Sequence, residues 1–364
     1  MMELAQFATQ PALLSIPGAF AWWYVDTVDA RGDGVVAIWS WGLPFLPGVE
    51  SAVRAGAPLA ALLRPTFNLA VYRGGRSDLY LLREYAPEDA SWSTLGADED
   101  AWRFGRTKIE SERRGARRHV RIEIDEAVPG SRHRITGSIL LDGVIPRLPT
   151  IGDGRSPHRW TPLACPGEAR VALDAGSSSW RLGGRAYHDH NRSTVPLSRL
   201  GIRAWSWGRL AASGSQGPWE LIHYLVEPED AGAASLRLLL RCDADGQAEL
   251  LACAPSPALP RRNLWGVPWH ARYHLPDGHG LPAALRLGTP VDAGPFYLRH
   301  PLTDPGSGAR GWAETIMPAR VDADWARPLV RMAVAKPEGE SMWLPLFSGP
   351  RAGRLGRLFS KASP

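Results

Sequence analysis

The chain has 364 residues, 44% hydrophobic and 22% charged, a globular composition long enough for two domains. Its net charge of +5 is too mild to argue for nucleic acid, and no aromatic-basic signature of an RNA-binding sheet accompanies it; weak attraction to an anionic membrane surface is the more modest reading. The three cysteines, Cys165, Cys242 and Cys253, form no CxxC pair, which argues against a disulfide framework or a zinc motif and fits a reducing cytoplasm.

Residues 1–18 lack the basic start and apolar core of a secretory signal, and no stretch approaches the ~18 apolar residues of a membrane-spanning helix. Strand-like runs then follow one another. Phe20 to Val25 and Val35 to Trp41 are aromatic and β-branched, with Gly32-Asp33-Gly34 as the turn between them. Val49 to Leu63 is the only helical-looking stretch, interrupted at Gly56-Ala57-Pro58; it suits a lid, a membrane-touching flap or a plug at a barrel end. Asn68 to Tyr72, Leu79 to Tyr85, Ile135 to Leu141 and Ala169 to Leu173 look like strands, and Val120, Ile122 and Ile124 alternate with Arg121 and Glu123. Ile202 to Leu210, Trp219 to Val226 and Leu236 to Cys242 complete the series. The spacing predicts an all-β protein of antiparallel barrels or sandwiches, two in succession, with few short helices. The tail, Pro350 to Pro364, carries Arg351, Arg354, Arg357 and Lys361 between apolar residues; a solvated terminus is weighed above a bilayer contact.

Tyr187-His188-Asp189-His190-Asn191 is the run most charged with chemistry. In a strand, Tyr187, Asp189 and Asn191 share one face and His188 and His190 the other. His158 and Trp160 are two residues apart and share a face; so do Trp205 and Trp207. If these faces meet, a carboxylic acid, an imidazole and indole rings lie within an apolar wall. That set suits protonation of an unactivated alkene. Burial raises an Asp pKa and keeps the acid protonated. Indole faces stabilise the resulting carbocation, and an imidazole can activate a water. Asp189 is the candidate acid, Trp160 the cation platform with Tyr187 in support, and His158 the base. Trp205, Trp207, Asn191, Trp23 and Trp41 are expected to contact substrate. His188 and His190 resemble a His-x-His metal fragment that nothing nearby completes, so no metal is expected.

Ordered blocks tie these residues to a family. Trp22-Trp23-Tyr24-Val25-Asp26, Asn68 to Tyr72, Tyr187 to Asn191, Trp205-x-Trp207-Gly208, Pro295-Phe296-Tyr297-x-Arg299 and Met342-x-Leu344-Pro345-x-Phe347 together resemble the carotenoid 1,2-hydratases, a hydroxyneurosporene synthase group within a lipocalin-like superfamily. The resemblance implies two consecutive lipocalin-like barrel domains, at 15–190 and 191–348, before a basic tail at 349–364. It also implies addition of water to the terminal double bond of an acyclic carotenoid or similar isoprenoid without a redox cofactor. The family's acid, supporting Tyr and His-x-Trp pair fall on Asp189, Tyr187, His158 and Trp160. Arg192-Ser193-Thr194, where relatives carry a glycine, and the loosely matching Trp41 to Phe45 bear on substrate identity more than on fold. Isoprenoid or polyene cyclisation in the same pocket, and carotenoid or lipid binding without turnover, are the rival readings. The expected setting is the cytoplasm, with peripheral contact at the inner face of its membrane.

Overall fold

The computed structural model describes residues 2–4, most of 11–326, and the strands at 334–336 and 339–340; short stretches such as 46–48, 57–59, 153–155, 252–253, 256–258 and 276–283 are outside it. Among the described residues the architecture is all-β; helical geometry is confined to Val49 and Ala52, within the stretch where a helix was expected, and to short 3-10 turns such as Ala61–Leu63 and Leu197–Arg199. Much of the helix expected over 49–63 lies outside the described residues, as do the Met342 to Phe347 block and the basic tail. Where that helix was expected to end, the chain makes only the Ala61–Leu63 turn.

The first sheet contains β1 (Met2–Leu4), β2 (Phe20–Val28), β3 (Gly34–Trp41), β4 (Pro65–Arg73), β5 (Arg76–Glu84), β6 (Ala90–Gly96), β7 (Glu99–Phe104), β8 (Thr107–Arg114), β9 (Arg117–Ala127), β10 (Arg134–Val144), β11 (His158–Ala175) and β12 (Ser178–Ser193). Its order runs β5-β4-β3-β2-β12-β11-β10-β9-β8-β7-β6, so β12 returns beside β2 in the middle of the curled sheet. The second sheet is built on β13 (Ile202–Gly214), β14 (Gly217–Pro228), β15 (Leu236–Cys242) and β16 (Ala248–Leu251). It continues through the short pieces β17 (Ala254–Pro255), β18 (Arg261–Arg262), β19 (Pro268–Trp269), β20 (Arg272–His274), β21 (Ala284–Leu287) and β22 (Asp292–Ala293), of which β18 and β19 pair apart. The longer β23 (Tyr297–Asp304) and β24 (Ala309–Ile316) close it against β13.

The division anticipated at 190/191 falls inside β12, whose pairing with β2 runs on to Ser193. The chain changes sheet between Ser193 and Ile202, and the later strand Val334–Lys336 rejoins the first sheet beside β5.

Burial patterns explain which strands the sequence could hide. In β9 alternate residues are buried, because its outer face meets solvent. In β2 all nine residues are buried. Trp23 and Val25 pack inside the first half-barrel, while Phe20, Trp22 and Tyr24 pack against the second sheet. β12 changes character along its length: its first half is largely exposed or half-buried, and Ala186 to Asn191 are buried on both faces. That change marks where the second sheet covers the first.

Three apolar clusters result, one inside each half-barrel and one between them. Within the last, Arg209 of β13 binds Asp26 of β2, with Nε 2.8 Å from Oδ1, and Glu220 of β14 at 2.8 Å; all three side chains are fully buried. Arg299 likewise reaches across from β23 to the Tyr72 hydroxyl of β4, at 2.5 Å. Directional contacts of this kind fix how one sheet sits on the other.

Candidate active site between the two sheets

The site begins with register. β11 and β12 pair antiparallel with His158 opposite Ser193, Trp160 opposite Asn191 and Pro162 opposite Asp189. Side chains of directly paired residues project to the same side. His158 and Trp160 therefore share a face with Tyr187, Asp189 and Asn191. β2 adds Tyr24 opposite Asp189 and Trp22 opposite Asn191. Trp205 and Trp207 of β13 and Tyr224 of β14 meet this face from the other sheet. Trp205 stacks on His158 at 5.5 Å, Trp207 lies 5.6 Å from Tyr187, and Tyr224 lies 5.1 Å from Trp160.

Asp189 is buried and accepts three hydrogen bonds. Trp160 Nε1 and the Tyr187 hydroxyl each donate to Oδ2 at 2.9 Å, and Asn191 Nδ2 donates to Oδ1 at 3.1 Å. Burial pushes its pKa up to about 8. The Trp160 and Tyr187 donors pull it down, and the buried acids Glu314 and Asp26 add to the rise. Desolvation outweighs the donors, so the carboxyl is a neutral acid at pH 7. His158 is fully buried and its pKa is held down to about 4 by that burial, so the imidazole is neutral. Its Nε2 lies 3.3 Å from Asn191 Oδ1, and its Nδ1 has no hydrogen-bond partner among the described residues.

The structure does not bring Trp23 and Trp41 to this cluster. Trp23 is paired with His190, and both point into the first half-barrel, with rings 4.6 Å apart; Trp41 packs there on Phe104 at 5.0 Å. The reason is the two-residue period: Trp22 takes the Asp189 side, so its neighbour cannot. Asn191, expected as a substrate contact, spends its amide on Asp189 and His158. Trp160, expected as a cation platform, turns its N–H edge to the carboxyl. His188 donates through Nδ1 to Tyr24 O, 2.9 Å away, on the far face with Trp39. No group of three or more His, Cys, Asp or Glu suited to a metal occurs among the described residues.

Sequence reasoning left Tyr24, Trp22, Phe20 and Tyr224 out of the site. Trp22 and Tyr24 lay within a recognised block, and strict alternation from Asp189's partner strand would have found them once its register was known. Beside Trp22 and Trp205, Phe45 borders a narrow cavity of about 60 Å³, whose walls include Ile38, Asn68, Phe296 and Arg299.

The family model "Carotenoid hydratase CrtC" matches residues 70–342, three quarters of the chain, including every element of this cluster from β11 to β14. The chain belongs to the carotenoid hydratase family. This carotenoid hydratase family member is 27% identical over 314 residues to a "Hydroxyneurosporene dehydrogenase" of Chlorobaculum tepidum, covering 79% of this chain and 78% of that one. It is 27% identical over 295 residues to an "Acyclic carotenoid 1,2-hydratase" of Rubrivivax gelatinosus, covering 78% of this chain and 64% of that one. The crystal structure of CghA with Sch210972 shares the fold at a TM-score of 0.53 and 14% identity, over 86% of this chain and 93% of that chain. Family membership supports a hydro-lyase acting on carotenoid-like substrates.

Proposed function

We propose that the protein adds water across the terminal double bond of an acyclic carotenoid or similar isoprenoid by acid catalysis. The observation that carries this reading is a buried carboxyl, Asp189, held by three donors, and a buried imidazole, His158, on one aromatic-walled face; burial favours the neutral form of each. Asp189 gives its proton to the less substituted alkene carbon. The π electrons form the new C–H bond and leave a tertiary carbocation. The carboxylate left behind is held by Trp160, Tyr187 and Asn191, donors already in place. Ring faces from Trp205, Trp207 and Tyr224 stabilise the cation. Water attacks the cation and its proton passes to His158, giving a tertiary alcohol. Return of that proton to Asp189 through solvent closes the cycle, and no electron is transferred.

An apolar substrate of this kind resides in bilayers. Ile16 and the Ala61–Leu63 turn, whose Leu62 and Leu63 are exposed, support contact of this end of the protein with a membrane surface. Among the described residues no helix is long and apolar enough to cross one.

The test is incubation of the recombinant protein with lycopene or neurosporene in detergent. A product one water heavier is expected, carrying one carbon-bound deuterium when the reaction runs in deuterium oxide. A rearranged product of unchanged mass would make the protein a cyclase, and tight binding of a ligand that stays unchanged after long incubation would make it a carrier.

A further inference from the structure

We propose that Asn191 is a positioning residue that separates the acid from the base: it keeps Asp189 and His158 out of direct contact and holds His158 as the Nε2–H tautomer, leaving Nδ1 as the basic atom. This rests on the hydratase reading above for its catalytic meaning, but not for its geometry.

The amide of Asn191 is a two-ended link. Its Nδ2 lies 3.1 Å from Asp189 Oδ1, and its Oδ1 lies 3.3 Å from His158 Nε2. A carbonyl oxygen can only accept, so His158 Nε2 must carry hydrogen. A neutral imidazole has one N–H, so Nδ1 holds the lone pair, and that atom has no partner among the described residues. Phe20, Trp22 and Trp205 face the ring, and the stacking on Trp205, tilted by 23°, fixes its plane. None of these faces offers a competing charge.

The count at Asp189 agrees. Two donors fill the lone pairs of Oδ2, and Asn191 fills one on Oδ1. One lone pair of Oδ1 remains for the transferable proton.

The physical need for a spacer follows from what direct contact would do. A direct hydrogen bond between a carboxylic acid and an imidazole becomes charge-assisted once the proton crosses, and the attraction between the two ions then offsets the desolvation that otherwise keeps each group neutral; an ion pair formed that way removes acid and base together. An amide donates to one and accepts from the other while adding no charge. It binds both groups in a fixed relation and lets each stay neutral. A carboxylate at 191 would instead accept from His158 Nε2 and favour the imidazolium.

The experiment reads the resting protein, with no substrate present. Protein carrying ¹⁵N-histidine is examined by long-range ¹H–¹⁵N NMR, with His158 assigned by loss of its signals in His158→Gln. A neutral ring at pH 7 with a pyrrole-type Nε2 and a pyridine-type Nδ1 is expected. A pyrrole-type Nδ1, or an imidazolium at pH 7, overturns the proposal even if hydration is observed. In Asn191→Asp, His158 is expected to give imidazolium signals at pH 7, with the acidic limb of the kcat/KM profile moved up by more than one pH unit. A neutral His158 in that variant also overturns it. If that variant does not fold, the tautomer in the native protein decides alone. Failure of the hydratase assay with the expected tautomer present would sink the reaction and leave the spacer standing.

Discussion

The indole N–H of Trp160 donates to Asp189 Oδ2 at 2.9 Å, while the same ring packs on Tyr224 at 5.1 Å. One side chain thus ties the acid to the wall contributed by the second sheet. Trp160→Phe keeps most of the packing and removes the donor. The carboxylate formed on proton transfer then loses a charge-assisted hydrogen bond of about 1.5–3 kcal/mol, so kcat is expected to fall roughly ten- to a hundredfold. Tyr187→Phe should behave alike, since its hydroxyl donates to the same oxygen. In both variants the alkaline limb of the pH–rate profile should move upward; an unmoved limb with lowered kcat would separate these donors from the acid.

Asp189→Asn removes the transferable proton. Hydration is expected to drop below detection, while the fold survives with a loss of about 1–3 kcal/mol, because an amide N–H now faces donors that had an acceptor. Product mass and a urea titration on the same preparation check both halves.

Activity and stability should respond to pH in different ways. The acid is competent only while Asp189 is protonated, so kcat/KM should fall as pH rises through about 8. Stability is governed below neutrality by buried histidines. Burial holds His158 and His300 down at about 4 and His188 and His223 at about 3. Unfolded histidine takes up its proton near 6.5, so below that pH the unfolded chain holds more protons and stability falls as pH falls, by about 1.4 kcal/mol per pH unit for each group. Asp189 acts in the opposite sense: the folded state holds an extra proton from about 3.9 up to about 8, and its contribution declines as pH rises across that window. His190 is shifted in the same direction, and the carboxyls of Glu220, raised to about 7, and Glu126 side with Asp189; five histidines still outnumber three carboxyls, so unfolding free energy should decrease from pH 6.5 to 4.5. Asp189→Asn should flatten the gentler decline between pH 6.5 and 8.

Arg209→Met strands Asp26 and Glu220 without their shared cation, in a layer where none of the three reaches solvent. A loss of about 3–5 kcal/mol is expected in denaturant unfolding. Replacing all three by Met, Leu and Leu should recover most of it, because the desolvation cost disappears with the charges. A single variant as stable as the parent would mean that the pair does not hold the sheets together.

The sequence by itself determined the β architecture, because period-two burial in β9 and aromatic runs in β2 and β3 are local properties of the chain. It also placed Tyr187, Asp189 and Asn191 on one side of a strand and His188 and His190 on the other, since alternation requires no knowledge of partners. The tertiary structure alone decided which side became the site. Both faces of β12 are apolar-walled where it crosses the second sheet, so composition could not separate the Trp22, Trp205 and Trp207 side from the Trp23 and Trp41 side. Register did: pairing Asp189 with Tyr24 sends Trp23 inward, and a slip of one residue would have reversed every assignment. The acid's strength is likewise a tertiary property. Its donors come from β11 and β12, but the cover that excludes water comes from β13 and β14, and it is loss of water that keeps the proton on Asp189.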